Sequence, residues 1–201
     1  MIRAIVFDLD GVYFVNGKEN FIKNIVNLGV PEEKVRTVFL KSEEMNFKYK
    51  TGLWNDDEYW TWAINEWGLS ATKEQIIKLL IEGYEINPDV VNVVKMVRKK
   101  GYKTLICSNN FPARVSGLQE RFRFLNNFDA EVFSYEVGVI KPDKKIFENL
   151  IEKSGCKAEE IIYSDDNDVN LTAAKALGIN CFVFTNFKDF LKGIRELGVR
   201  L

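Results

Sequence analysis

Short apolar runs at residues 4–7, 104–107, 131–133, 161–163 and 181–184 are bounded by turn-forming residues and are mostly β-branched or aromatic. That pattern predicts buried strands. Between them, apolar positions recur at helical spacing over 88–100, 112–124, 144–154 and 170–177, and Gly101, Gly155 and Gly178 stand where three of these stretches stop. Helix C-termini favour glycine there. Strand alternating with helix predicts an α/β fold, a doubly wound parallel sheet.

Residues 13–85 break the alternation. They carry successive amphipathic stretches at 19–28, 32–48, 56–67 (capped by Asn55 or Asp56) and 72–84, with no convincing strand. This reads as an all-helical insert, with Gly17 and the stretch 85–88 as its two hinges. The expected division is a core of residues 1–13 and 86–201 and an insert of 14–85.

A chain of 201 residues with 46% hydrophobic content can bury a sizeable core. Its formal net charge of −1 is spread over interspersed acids and bases, with no basic block to follow a nucleic-acid backbone, so nucleic acid is not an expected partner. The first strand begins close to Met1 and no apolar run approaches membrane-spanning length. The expectation is a cytoplasmic protein without a signal peptide. Cys107, Cys156 and Cys181 have no paired spacing for zinc or redox exchange. There is no histidine, which removes Ser/His and Cys/His relays and a phosphohistidine, and leaves carboxylates, lysine or tyrosine for acid–base work.

The candidate chemistry lies where strands end. Asp8-Leu9-Asp10-Gly11-Val12 follows the first strand, and side chains two apart on extended chain point the same way. Ser108-Asn109-Asn110 follows the second and offers a hydroxyl and two amides that can hold phosphoryl oxygens without adding charge. Lys141 precedes Pro142 and a helix; a site crowded with carboxylates around a phosphoryl group needs such a fixed cation. Ser164-Asp165-Asp166-Asn167-Asp168 places three acids within four residues, too dense for one helix cap. A hard divalent cation with oxygen ligands, Mg²⁺ rather than Zn²⁺, would relieve that charge. In an open parallel sheet these strand ends form the ligand crevice.

With these four segments in this order, the chain resembles the haloacid dehalogenase superfamily of phosphatases and phosphotransferases over essentially its whole length, and the helical insert resembles that family's small helical cap. The resemblance implies that Asp8 is the nucleophile and Asp10 the general acid and base, starting protonated. It implies that Ser108, Asn109 and Lys141 hold the phosphoryl group, with Lys141 stabilising its charge. Mg²⁺ would sit on Asp8, the main-chain carbonyl of Asp10 and Asp166, with Asp165 in the outer shell or as an alternate ligand. An acid at position 10 argues against dehalogenation.

The expected activity is therefore Mg²⁺-dependent hydrolysis of a small phosphorylated metabolite through an aspartyl phosphate. A sugar phosphomutase shares the motifs and is the alternative; a phosphoacceptor signalling domain uses similar residues in a different order, and a catalytically dead binding module would lack some of them. Trp54, Trp60, Trp62 and Trp67, with Phe47, Tyr49 and Tyr59, crowd the insert, and helical spacing assigns them to its packing rather than to substrate stacking. Lys48 and Lys50 read as solvated lysines that could reach a substrate's distal end when the insert closes.

Overall fold

In the computed structural model, which describes residues 1–200, the strands in chain order are β1 (Ala4–Phe7), β2 (Phe14–Val15), β3 (Glu85–Ile86), β4 (Lys103–Ser108), β5 (Ala130–Phe133), β6 (Ile161–Asp165) and β7 (Asn180–Val183). Five of them form a parallel sheet of order β5-β4-β1-β6-β7. Every residue of β1 and β6 is buried, as expected of parallel strands covered on both faces. Ile5 and Phe7 enter one apolar cluster and Ala4 and Val6 the other, following the two-residue period of a strand.

The helices are α1 (Gly17–Val26), α2 (Glu32–Arg36), α3 (Asp56–Trp67), α4 (Lys73–Glu82), α5 (Pro88–Lys99), α6 (Pro112–Phe122), α7 (Ser134–Val137), α8 (Lys144–Ser154), α9 (Thr172–Ala176) and α10 (Phe187–Glu196). Local chemistry sets several starts. Asn55 with Glu58, and Thr72 with Gln75, form reciprocal capping boxes on α3 and α4, and Asn87 caps α5 ahead of Pro88.

Two expectations change and one helix is added. Residues 32–48 are not one helix: α2 ends at Arg36 and is followed by widened turns over Thr37–Lys41 and Glu44–Tyr49. The break falls at Ser42, whose hydroxyl donates to the Val38 carbonyl at 2.6 Å and accepts from the Met45 amide at 3.1 Å. A serine can compete in this way with the helix's own bonds. The segment 13–85 is not free of strand either, because β2 and β3 pair antiparallel at its two ends, Phe14 beside Ile86. Finally, α10 was not anticipated, although Phe187, Phe190, Leu191 and Ile194 lie at helical spacing and Phe190 and Ile194 are buried.

The larger apolar cluster is continuous from the sheet into the insert, joining Ile5 and Phe7 with Phe21, Tyr49, Trp60 and Trp67. Most of the insert's aromatic rings are packing groups, while Trp54 and Trp62 are half-buried and Phe47 is exposed. Among the described residues, no helix is long and apolar enough to cross a membrane.

Candidate active site

Strand β1 is the point where strand order reverses: β4 lies on one side and β6 on the other, with Phe7 beside Ile106 and Ser164. The carboxyl ends of these three strands therefore splay around one crevice. It contains a cleft of about 430 Å³ whose walls include Asp8, Asp10, Asn109, Lys141 and Asp166. These are five of the seven residues singled out from sequence. Ser108 and Asp165 stand behind the wall, both buried at the strand ends.

Lys141 is the hub. Its ammonium is 3.0 Å from Asp8 Oδ1, 2.5 Å from Asp165 Oδ2, 2.8 Å from the Tyr163 hydroxyl and 3.1 Å from the Cys107 carbonyl. Burial opposes its charge, but Asp8 and Asp165 outweigh that and hold its pKa above the ordinary lysine range. Far from being solvated, it is 3% exposed. Burial pushes the Asp8 carboxyl up and Asp165 adds to the effect; Lys141 opposes both but does not cancel them, because it serves two carboxylates.

Asp165 is fully engaged. Oδ2 accepts from Lys141 and Tyr163, while Oδ1 accepts from the Asn167 amide at 2.9 Å and Asn170 Nδ2 at 3.0 Å. Asp166 is exposed, and the carboxylates of Asp8, Asp165 and Asp166 bring oxygens within 4.8 Å of one another. Partial desolvation beside the buried pair, then the charges of Asp8 and Asp165, push the Asp166 carboxyl up to about 6. Of the acidic pair, only Asp166 has oxygens not already taken by protein donors. Gly11 makes room for it: at φ +84 it lies where a Cβ would fall 2.2 Å from Asp166 Oδ2.

Two assigned roles look different in the geometry. The side chain of Asn109 is bound to the main chain of Lys141, accepting from its amide at 2.7 Å and donating to its carbonyl at 3.3 Å. It therefore fixes the main chain of Lys141, with its second amide N–H not engaged by either bond. The resemblance has Asp10 starting protonated, but its Oδ2 meets Lys18 at 2.8 Å and Arg114 at 2.9 Å. Burial raises this carboxyl's pKa, yet Lys18 and Arg114 together hold it below the usual range, so it is ionised here. The Ser108 hydroxyl, by contrast, is buried with no partner among the described residues. A buried hydroxyl of this kind calls for a ligand oxygen or water.

Sequence reasoning missed Lys18, Arg114 and Tyr163. Arg114 is buried on the first turn of α6 and also donates to Asn110 Oδ1, the Tyr84 hydroxyl and the Asn109 carbonyl. Its place four residues after Asn110 was a usable signal, since Asn110 sits at the strand end. Tyr163 lies two residues before Asp165 on the same strand and so faces the same way. Nothing local separates Lys18 from a surface lysine. Lys50 lines the cleft, whereas Lys48 pairs with Glu44 at 3.1 Å and lies over the Trp54 ring at 4.6 Å.

The family model for haloacid dehalogenase-like hydrolases matches residues 2–178. An uncharacterized Dictyostelium discoideum protein is 27% identical over 210 residues, covering 90% of each chain. D-ribitol-5-phosphate phosphatase of Bacteroides thetaiotaomicron is 24% identical over 197 residues, covering 94% of this chain and 95% of that one. A family enzyme from the same bacterium, crystallised with magnesium and inorganic phosphate, superposes with a TM-score of 0.78 at 22% identity, over 91% of this chain and 94% of its own. Four polar segments meeting at one strand-order reversal, under a family model that takes in the whole sheet except its outermost strand, place this chain among the haloacid dehalogenase-like hydrolases.

Proposed function

We propose that the chain is a Mg²⁺-dependent phosphatase acting on a small phosphorylated metabolite through an aspartyl phosphate on Asp8. The observation that carries this reading is the crowding of Asp8, Asp165 and Asp166 at the crevice, where a single buried lysine answers the first two only. Too many carboxylates for one ammonium, with oxygen-only donors and no histidine, suit a hard divalent cation. Asp8, the main-chain carbonyl of Asp10 and Asp166 would hold Mg²⁺, with Asp165 behind them orienting Lys141. When bound, the ion supplies positive charge to the phosphoryl oxygens and to these carboxylates. The phosphatase named above and the magnesium and phosphate complex of the related enzyme support the same reading.

In the first half-reaction a carboxylate oxygen of Asp8 attacks phosphorus, the P–O ester bond breaks and the departing alkoxide takes a proton from Asp10. In the second, Asp10 as carboxylate takes a proton from water as that water attacks phosphorus, releasing orthophosphate and restoring Asp8. An ionised Asp10, as its pairing with Lys18 and Arg114 favours, is competent for the second half. Phosphoester oxygens arriving beside Lys18 and Arg114 would draw those cations away and let Asp10 take up the proton that the first half needs. Lys141 and the Ser108 hydroxyl would hold the phosphoryl group, and the insert of residues 14–85 would act as the cap that closes over it.

The test is phosphate release from small phosphomonoesters with and without Mg²⁺, beside Asp8→Asn. Activity that requires Mg²⁺ and falls on the order of 1000-fold or more in the variant is expected. Turnover retained by Asp8→Asn would remove Asp8 as nucleophile. Isomerised sugar phosphate in place of free phosphate would turn the assignment to a mutase.

A further inference from the structure

The cleft holds four cations, and three are already answered. Lys141 is engaged by Asp8, Asp165, Tyr163 and a carbonyl; Arg114 by Asp10, Asn110, Tyr84 and a carbonyl; Lys18 by Asp10. Lys50 is different. Its ammonium donates to Asn46 Oδ1 at 2.8 Å, and among the described residues no carboxylate pairs with it. An ammonium carries three donors, so the group is under-used as well as unpaired. Burial, followed by repulsion from Arg114 and Lys18, lowers its pKa to about 7 against a smaller attraction from Asp10 and Asp8, neither of which bonds it. A half-buried cation in that setting is costly without an anion beside it.

The position of Lys50 says which part of a substrate it meets. It follows the turn Glu44–Tyr49 of the helical insert, whereas Asp8 and Ser108 stand at the ends of β1 and β4 and Lys141 in the loop between α7 and α8, bonded to Asp8. A phosphoester whose phosphorus is seated on the sheet side turns its leaving group toward the insert. Every side chain lining the cleft is polar or charged, and Tyr49, Tyr59 and Trp60 are buried away from it, so a nucleobase would find no stacking face. The volume of about 430 Å³ suits a small polar ester.

We propose that Lys50 recognises a carboxylate on the leaving group, making the preferred substrate a small phosphorylated hydroxy acid. The inference rests on the phosphatase reading of the same cleft. A single unpartnered ammonium matches a single negative charge, which favours a carboxylate over a second phosphate.

Binding tests it separately from turnover. Two esters with the same three-carbon skeleton, 3-phosphoglycerate and glycerol 3-phosphate, differ in whether the far end is a carboxylate or an alcohol. Their affinities are to be measured by calorimetry with Mg²⁺ on Asp8→Asn, and on the same protein carrying Lys50→Gln. The acid should bind roughly 10- to 100-fold more tightly, the usual worth of a charge-assisted hydrogen bond. Lys50→Gln should erase that preference while leaving the alcohol's affinity within about threefold, which also shows that the variant is folded, and Lys50→Arg should restore part of it. Equal affinity for the two esters overturns the proposal, as does an equal loss for both in Lys50→Gln, which would put Lys50 on the phosphoryl group instead. Failure of the parent protein to release phosphate from any ester would count against the phosphatase reading, while the binding preference would still be decided on its own.

Discussion

Gly11 and Asp166 show how tightly single residues are set at the crevice. Gly11→Ala would place a methyl against the Asp166 carboxylate and hold an L residue at φ +84. The expected cost is about 1 kcal/mol or more of stability in urea titrations, from backbone strain, and a larger functional loss, more than about tenfold in the Mg²⁺ concentration needed for half activity. Asp166 itself predicts a pH effect. Its pKa is raised from 3.8 to about 6, so the native state without metal binds more protons than the unfolded chain between those values, and stability falls as pH rises through that window. Asp166→Asn should therefore melt higher than the parent above pH 6 without Mg²⁺, with the gain vanishing toward pH 4. Adding Mg²⁺ should stabilise the parent and not the variant. A variant that melts lower than the metal-free parent at pH 8 would contradict the crowding argument. At this scale the sequence revealed the acids and Lys141, because dense charge after an apolar run is visible in one dimension. The partners that set their protonation were not visible: Lys18 and Arg114 reach Asp10 only through the tertiary fold.

Between elements, α6 lacks a cap of its own. Phe111 stands at its N-cap position without a side-chain acceptor, and Asp56, at the start of α3 in the insert, accepts from the Ala113 amide at 3.1 Å. The same oxygen takes the Tyr49 hydroxyl at 2.5 Å, and that hydroxyl accepts from Trp60 Nε1 at 2.9 Å. A carboxylate near the positive end of a helix is favourable, and here it also ties the insert to the helix that carries Arg114. Asp56→Ala is expected to cost about 1 kcal/mol, the typical worth of an N-cap, and to speed hydrogen exchange in the first turn of α6 while that in α8 is unchanged. Uniform exchange across both helices would mean that Asp56 serves overall stability rather than this junction. The α/β alternation was legible because each strand and helix is terminated by local residues. The single helix expected over 32–48 fails because one hydroxyl, Ser42, diverts the backbone without disturbing the hydrophobic period. The pair β2 and β3 was invisible because two-residue strands depend on pairing across 69 intervening positions.

At the scale of the whole molecule, the insert is tied to the sheet by more than its two chain crossings. Arg121 of α6 donates to the Ile81 and Tyr84 carbonyls, Gly117 lies where a Cβ would strike the Ile81 side chain, and one apolar cluster spans both parts. Shared burial of this extent argues that insert and sheet unfold together, since separating them would expose a common core to water. The tryptophans give a direct way to see this, because Trp54, Trp60, Trp62 and Trp67 all belong to the insert, whereas far-UV circular dichroism reports on every helix. Fluorescence and dichroism transitions in urea are expected to coincide, with the same midpoint and slope. The cap closure proposed above is then expected to be a hinge rotation about the β2–β3 ribbon that keeps the insert's own aromatic interior intact, not a local melting. A fluorescence midpoint well below the dichroism midpoint would show instead that the insert opens by unfolding, and the continuity of the apolar cluster would carry much less of the stability than its burial implies.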